Sequence, residues 1–307
     1  MKTLIAAVSA SLSMAATGQA QDDDFGVLVM AHGGSEAWNA SVETMLAPVA
    51  GDHRLELAFG MADAVSLQQA VDRLEERGAE RIGVVRIFIS GESWHERTRR
   101  ILGLEPGAPA RPQDWQAATG HHGHRMEYWR LESDADFALT TRGLAQAPEM
   151  GAVLVERVRA MSEDPENESV LILAHGPGDD AENARWIEWI DARADAVRYA
   201  MPVREVRVET LREDWPEARA AAEVRIRDWV AAASQDEGRV LVVPYRLSGF
   251  GPYGEVLEGL DYVAEGRGLL PSAAVADWVR RQIAELEAGT FETPVPASGR
   301  GEAMDGH

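Results

Sequence analysis

The pattern of apolar positions divides the chain into two halves that repeat one order of elements. An unbroken apolar run at residues 25–31 ends in Ala-His-Gly, and a second run at residues 170–174 ends in the same three residues. A short apolar run bounded by a turn is typical of a strand buried on both faces. We therefore predict that His32 and His175 occupy equivalent strand ends in a duplicated α/β protein.

Strands and helices are expected to alternate along the first half. Residues 54–59 alternate between apolar and polar positions, which predicts a second strand, and residues 81–90 form a third apolar run. Between them, Ser66 stands three residues before Gln69 and predicts a capped helix start, and Gly78 predicts the helix end. This alternation favours a parallel sheet with helices on both faces.

The second half repeats that order. Residues 203–209 and 239–247 predict two further strands, and residues 215–233 predict a long helix between them. The predicted fold class is therefore α/β, with two tandem domains that each contain a small parallel sheet flanked by helices. We place the first domain at residues 21–145 and the second at residues 146–288.

The two ends of the chain are expected to lie outside this fold. Residues 1–20 combine Lys2, a short apolar stretch and a small-residue cleavage site, which predicts a signal peptide cleaved after Ala20. We therefore expect a periplasmic or secreted protein. No segment has the length of a membrane span. The Gly- and Pro-containing residues 289–307 predict a flexible tail, and residues 104–131 predict an insertion or loop rather than a core element.

Composition limits the chemistry that the protein can use. The chain has 30 Lys and Arg against 51 Asp and Glu, and its net charge of −21 excludes nucleic acid as an expected partner. This acidic field either attracts metal cations or a cationic ligand, or forms a solvated surface that keeps the protein in solution. Because the chain has no cysteine, any metal site must use His, carboxylate or water.

Two histidines of the first half are candidate ligands. Open parallel sheets place their sites outside the carboxyl ends of the strands, and both His32 and His95 lie just beyond the ends of predicted strands. We expect the two rings to converge on one cleft, where neutral imidazoles bind Co²⁺, Ni²⁺ or Fe²⁺, or accept protons. The alternative is that each histidine only caps or packs a strand end.

The residues beside these histidines extend the candidate site. Gly33 and Gly34 leave room for a flat ligand against the backbone, and Glu92 and Glu96 place carboxylates on both sides of His95. Five tryptophans at helical positions are expected to be core residues rather than a platform for a pigment: Trp186, Trp189, Trp215, Trp229 and Trp278.

Two segments of the first half resemble a known family. Residues 28–34 and 84–95 are similar to the two signature segments of the class II tetrapyrrole chelatases, the sirohydrochlorin cobalt/ferrochelatase family of cobalamin and sirohaem synthesis. The resemblance extends from Phe25 to Glu287, and residues 174–183 and 259–271 are similar to longer family members. It implies two Rossmann-like, chelatase-like domains that face a cleft.

The resemblance also implies roles for the candidate residues. His32 and His95 would bind the metal that enters the tetrapyrrole and receive the pyrrole protons, with Glu92 or Glu96 as a secondary proton acceptor. Tyr253 stands where the second half would carry its second histidine. This half is therefore expected to be degenerate, with His175 as a structural residue at a turn beneath the cleft. Two halves in one chain favour a monomer or a weak dimer.

Two features of the sequence favour a second hypothesis. Arg86 stands in a strand where the family usually has an apolar residue or Pro, and an exported chain would be separated from a cytoplasmic substrate. The alternative is an exported, non-catalytic metal- or tetrapyrrole-binding protein on the chelatase scaffold. His121, His122 and His124 would then form a metal-loading loop, unless they belong to an exposed polar loop without a ligand.

Overall fold

The strands form two parallel sheets, one in each half of the chain. The computed structural model describes residues 24–112 and 126–295. Its strands are β1 (Phe25–Ala31), β2 (Leu55–Phe59), β3 (Arg81–Ile87), β4 (Asp136–Leu139), β5 (Glu168–Ala174), β6 (Glu205–Thr210) and β7 (Arg239–Tyr245). The sheet orders are β2-β1-β3-β4 and β6-β5-β7, and all pairs are parallel. The predicted α/β class is confirmed, and β1 and β5 are the equivalent central strands.

Helices connect these strands. They are α1 (Glu36–Asp52), α2 (Ala64–Glu76), α3 (His95–Ile101), α4 (Met150–Met161), α5 (Asp180–Ala200), α6 (Pro216–Ala233), α7 (Tyr253–Val256) and α8 (Ala273–Glu287). Helix α2 begins earlier than predicted because Asp63, not Ser66, is its N-cap and accepts a hydrogen bond from the Ser66 N–H at 2.8 Å. The predicted turn at Gly78 is confirmed, since this residue has φ +84°.

The two central strands are apolar throughout because both of their faces are buried. Val27 and Val29 of β1 pack into one cluster together with Val170 and Ile172 of β5, so this cluster is shared by the two halves. The alternate residues of β1, such as Leu28, face a separate cluster under α2. Burying each such side chain contributes about 1.5–3 kcal/mol, so the shared core holds the halves together.

The last helix returns to the first half. Helix α8 packs on β3 and α1, and Leu286 lies against Gly83 of β3. A Cβ added to Gly83 would come within 3.3 Å of the Leu286 Cβ and 3.0 Å of the Phe25 ring. The second domain drawn at residues 146–288 therefore contributes one helix to the core of the first.

Two expectations about irregular segments need correction. Residues 289–295 are not a flexible tail, because Glu292 pairs with Phe137 through backbone hydrogen bonds of 2.8 and 2.9 Å and Phe291 packs on Phe25. The predicted insertion also contributes to the core, since Trp129 is buried. Residues 1–20, 296–307 and the histidines at 121, 122 and 124 lie outside the described residues. Within the described residues, no helix combines the length and apolarity needed to cross a membrane.

Candidate functional site

A cavity of about 960 Å³ opens at the carboxyl ends of the strands of both sheets. Its walls come from the segments that follow β1, β2 and β3 in the first half and β5, β6 and β7 in the second. Parallel sheets expose backbone and loop side chains at this edge, which is where α/β proteins bind ligands. The volume is in the range of small-molecule sites.

His32 lies in this cavity, directly after β1. Its Nδ1 is 2.8 Å from the carbonyl oxygen of Gly33, and the Trp38 indole N–H donates to the carbonyl of His32 at 2.9 Å. A carbonyl oxygen only accepts hydrogen bonds, so Nδ1 carries the proton and Nε2 keeps its lone pair. Among the described residues, no carboxylate forms an ion pair with His32. Its Nε2 is therefore available to a metal ion or a proton.

His175 lies in the same cavity, directly after β5. Its Nδ1 makes the same contact as that of His32, 2.8 Å from the carbonyl oxygen of Gly176. Its Nε2, however, is 3.1 Å from a carboxylate oxygen of Asp214 and 4.0 Å from one of Glu213. His175 therefore lies in the cavity wall and not, as was predicted, beneath the cleft, and its predicted structural role stays a prediction.

The loop after β6 holds His175 against its acidic partners. Arg212 has a left-handed backbone, φ +59°, and its N–H donates to the His175 carbonyl at 2.7 Å. Its guanidinium is buried, pairs with Asp180 at 2.9 Å and donates to the carbonyl of Gly178. This one arginine fixes the loops that carry His175 and Asp214 relative to each other.

His95 does not reach the cavity. It is the first residue of α3 and is half-buried, and the residue before it, Trp94, lines the cavity instead. Burial, followed by the charges of Arg86 and Arg99, lowers the pKa of His95. The cavity lining thus includes His32 but not His95, and the residue that lines it from this segment is Trp94, which has a left-handed backbone with φ +58°. The expected pairing of His32 with His95 stays a prediction.

The carboxylates beside His95 are also outside the cavity lining. Glu92 is exposed and forms an ion pair with Arg185 of α5, with contacts of 2.8 and 3.1 Å, so it bridges the two halves. Glu96 is exposed and pairs with Arg100 one helical turn later. Both carboxylates already have a cationic partner in this structure.

The two candidate glycines line the cavity, but for different reasons. A Cβ at Gly34 would lie 2.5 Å from Cδ1 of Trp38, so the Trp38 ring already fills the space that we expected a flat ligand to occupy. A Cβ at Gly33 would have no atom closer than 3.5 Å. Gly33 therefore leaves the backbone accessible, and Gly34 makes room for Trp38.

Tryptophan side chains form a large part of the cavity wall. Those that line it are Trp38, Trp94, Trp186 and Trp215. The expectation of a core residue is wrong for Trp215, which is 39% exposed. Trp186 and Trp278 are buried as expected, 6% and 1% exposed, although Trp186 also lines the cavity. Trp215 lies in the segment after β6, five residues beyond Thr210, and this position after a strand was a sequence signal for a site residue. Such flat apolar walls suit a flat ligand.

Carboxylates occupy the second-half side of the cavity, where Asp179, Glu182 and Asp214 line it. Burial and the nearby carboxylates of Glu92 and Asp179 raise the pKa of Glu182. Within the described part of the chain, no group of three or more His, Asp or Glu side chains is placed to hold a metal. A metal ion bound here would need further ligands from a second bound molecule or from water.

Arg86 and Tyr253 are buried next to the functional loops. Arg86 is 1% exposed and donates to the carbonyls of Thr140, Gly91 and Ser93, so it holds the loop that leads to Trp94. Burial lowers its pKa to about 10. Tyr253 is fully buried under the Phe250 ring, and its environment raises the pKa of its hydroxyl. Tyr253 therefore contributes to packing and does not reach the cavity.

Solved structures with the same fold are sirohydrochlorin chelatases and one chelatase-like protein. SirB from Bacillus subtilis with Fe³⁺ has a TM-score of 0.58 and 16% identity, over 85% of this chain and 96% of SirB. The sirohydrochlorin chelatase SirB from Bacillus subtilis subspecies spizizenii in complex with cobalt has a TM-score of 0.55 and 14% identity, over 87% and 99%.

A third structure, DR2241 from Deinococcus radiodurans, is a multi-domain protein with structural similarity to chelatases. It has a TM-score of 0.54 and 16% identity, over 88% of this chain and 57% of DR2241. No protein-family model matches the chain, and no curated protein matches it by sequence. The chain therefore has the class II chelatase fold that the two sequence segments implied.

Proposed function

We propose that this protein inserts a divalent metal ion into a tetrapyrrole that binds in the cavity between its two halves. The observation that carries the proposal is that His32 and His175 line one tryptophan-walled cavity within a chelatase fold. SirB, which shares the fold, is a sirohydrochlorin chelatase with structures in complex with cobalt and with Fe³⁺. The candidate substrates are Co²⁺, Ni²⁺ or Fe²⁺ and sirohydrochlorin or a related tetrapyrrole.

His32 is the residue that we expect to bind the incoming metal ion. Its Nε2 carries a lone pair and is free of carboxylate partners within the described residues, whereas its Nδ1 is fixed by the Gly33 carbonyl. A borderline divalent ion binds neutral imidazole well. Since His32 supplies only one ligand, the ion passes to the four pyrrole nitrogens without having to leave a closed protein site.

His175 and Asp214 are the groups that we expect to receive protons. Metal insertion displaces two pyrrole N–H protons, and these need an acceptor close to the macrocycle. The Asp214 carboxylate lies 3.1 Å from Nε2 of His175 at the cavity wall, so a proton taken up by either group is shared with the other. Glu213 lies 4.0 Å from the same nitrogen and is paired with Arg246, so Asp214 is the main partner of this imidazole.

Other expected features stay proposals. His95, Glu92 and Glu96 were candidates from their sequence positions, and their roles in metal binding and proton transfer are tested below by substitution of His95. Export to the periplasm or the medium is proposed from residues 1–20, and a monomeric or weakly dimeric state from the two halves in one chain.

One observation favours a second function, capture of a metal or tetrapyrrole without turnover. Nδ1 of His175 contacts the Gly176 carbonyl and Nε2 contacts Asp214, so both ring nitrogens are already engaged by protein groups. A protein in this state would bind a pigment between its tryptophans and leave it unmetallated. The activity experiment separates the two functions.

The test is anaerobic incubation of the purified protein with Co²⁺, Ni²⁺ or Fe²⁺ and either sirohydrochlorin or mesoporphyrin, followed by absorbance. We expect metal insertion above the rate without protein. His32→Ala should lower this rate by about 100-fold or more, and His175→Ala should lower it less. His95→Ala tests the second histidine predicted from the sequence, and because this imidazole is not among those that line the cavity, we expect a smaller loss than in His32→Ala.

The contrary outcomes are distinct. Insertion that is absent with every macrocycle, together with saturable pigment binding, would establish capture instead of catalysis. A folded His95→Ala protein that loses the rate while His175→Ala keeps it would restore the histidine pair predicted from the sequence. A folded His32→Ala protein with an unchanged rate would overturn the proposed site.

A further inference from the structure

The charges that line the cavity are mostly negative. Asp179, Glu182 and Asp214 line it, and Arg246 is the single cationic side chain among the described lining residues, histidines aside. Arg246 forms a close ion pair with Glu213, so its charge is already neutralised. A ligand that enters this cavity therefore meets carboxylates and finds no unpaired arginine on its walls.

The arginines around the cavity have partners as well. Arg185 pairs with Glu92, and Arg212 pairs with Asp180. Arg86 donates to backbone carbonyls and is buried. The only lysine of the chain is Lys2, which lies outside the described residues. The protein thus uses its cations near the cavity to hold its own loops.

Four tryptophans also line the cavity, and the polar N–H groups of two of their indoles are occupied. The Trp38 N–H donates to the His32 carbonyl at 2.9 Å, and the Trp186 N–H donates to Glu182 at 3.2 Å. These rings offer carbon surface to a ligand and few free hydrogen-bond donors. Aromatic faces of this kind bind flat apolar rings, and they also attract cations.

Like charges this close are costly. Two like charges that approach each other at a partly buried site repel more strongly than they do in water, because the effective dielectric constant there is lower. The crowding is visible in Glu182, whose pKa is raised by burial and by the carboxylates of Glu92 and Asp179. A macrocycle with acid side chains around its whole rim brings several such charges into this field, and the net charge of −21 adds to the repulsion.

We infer that the cavity between the two halves selects flat macrocycles that carry few or no acid groups, or cationic groups, and disfavours polycarboxylate tetrapyrroles such as sirohydrochlorin. The inference rests on the proposed function, because it names the substrate class of the same cavity. The selection arises from the negative charges of Asp179, Glu182 and Asp214 on one side of the cavity. The tryptophan walls bind the flat ring and do not distinguish its acid side chains. It makes the protein a chelatase-fold member with a different tetrapyrrole preference.

The test is a fluorescence titration, in which binding near the tryptophans quenches their emission. The probes are sirohydrochlorin, coproporphyrin, mesoporphyrin with only two propionates, and a tetracationic N-methylpyridyl porphyrin, each in low salt. We expect the dissociation constant to rise with the number of acid groups, by about tenfold or more between mesoporphyrin and sirohydrochlorin. The difference should shrink in 1 M salt, where the Debye length falls to about 3 Å.

Single-charge variants locate the effect. Asp179→Asn keeps a side chain that caps α5, since Asn is as good an N-cap as Asp, and removes one cavity charge. It should improve coproporphyrin binding several-fold and weaken binding of the cationic porphyrin. The matched control is Asp277→Asn, an exposed aspartate on α8 that does not line the cavity and should change neither constant.

The outcomes of this test differ from those of the activity test. Tighter binding of sirohydrochlorin than of mesoporphyrin, or equal effects of Asp179→Asn and Asp277→Asn, would overturn the inferred selectivity and leave the proposed function standing. Absence of quenching by every macrocycle would overturn both. Insertion into mesoporphyrin and not into sirohydrochlorin would support both.

Discussion

Each half of the protein places one imidazole in the cavity. The two rings make the same contact through Nδ1 but differ in the partners of Nε2. In His32 and His175 the Nδ1 atom lies 2.8 Å from the carbonyl of the next residue. Only His175 has acidic partners for Nε2, Asp214 and Glu213. The duplicated strand end fixes how the ring is oriented, and the neighbouring loop decides what the ring can do.

The difference originates in the segment after the second strand of each half. In the first half Met61 reaches the cavity from this segment, and in the second half Asp214 does. Both segments contain a residue with a left-handed backbone, Ala62 with φ +52° and Arg212 with φ +59°. Each segment therefore contains a left-handed residue, but the first half brings a thioether to the cavity and the second half brings a carboxylate.

The third strands differ even more, and this contrast gives the largest expected effect. Arg86 on β3 stands at the position of Pro244 on β7 when the two apolar runs are aligned. We expect Arg86→Leu to lower the free energy of unfolding by about 3 kcal/mol or more, because three buried carbonyls lose their donor. Urea denaturation measures this. The control is Arg73→Leu, since the exposed Arg73–Glu56 pair should contribute less than about 1 kcal/mol.

An Arg86→Leu protein as stable as the Arg73→Leu control would show that the loop before Trp94 does not depend on the hydrogen bonds from Arg86. The difference between Arg86 on β3 and Pro244 on β7 would then not affect stability, and packing alone would hold the loops in both halves.

Substitution of the glycines that contact two cavity tryptophans, Gly34 and Gly178, gives the second largest expected loss of stability. A Cβ at Gly178 would lie 2.1 Å from Nε1 of Trp215, and one at Gly34 would lie 2.5 Å from Cδ1 of Trp38. We expect Gly178→Ala and Gly34→Ala to destabilise the protein by about 1–3 kcal/mol, with the larger loss in the second half. Thermal unfolding measures both. Gly51→Ala is the control, because no atom lies within 4 Å of its added Cβ.

If Gly34→Ala were the more damaging change, the second half would be the more adaptable wall of the cavity. The comparison would then be reversed, although both tryptophans would remain in place.

His95, which has no counterpart in the second half, gives the smallest expected effect, a change in how stability depends on pH. Burial and the charges of Arg86 and Arg99 lower the pKa of His95, so the folded protein binds this proton less readily than the unfolded chain does. Stability from His95 is therefore complete above its unfolded pKa of about 6.5 and is lost as the pH falls through the folded value. Unfolding free energies measured between pH 8 and pH 5 should fall less steeply for His95→Gln than for the wild type.

An equal slope for His95→Gln and wild type would place His95 in contact with water. A role for His95 beside His32 would then have to be reconsidered.

The sequence predicted the parts of the fold that depend on local pattern. Both central strands and the turn at Gly78 follow from apolar runs and a single glycine. The four-residue strand β4 was missed, because Asp136–Leu139 has no pattern of its own and forms only by pairing with β3. The start of α2 was displaced because Asp63 and Ser66 are both good caps, and only the folded backbone shows which one reaches.

The candidate site was predicted only in part. His32 is in the cavity as expected, since its position depends on one strand end. The pairing with His95 depended on which way the chain turns at Trp94, and a left-handed φ at a tryptophan has no sequence signal. The importance of His175 depended on Asp214, which is 39 positions away by residue number and is brought close by the β5–β6 pairing.

Helix α8 gives the chain a path that starts in the first half, crosses to the second and comes back. A fragment that stops before Ala273 would leave Gly83 and Phe25 exposed to water, and one that begins at the second sheet would carry a helix with no partner. The repeat visible in the sequence is therefore not a repeat of separable units. Helix α8 joins the two halves of the duplicated fold, so we expect them to fold and unfold together as one cooperative unit.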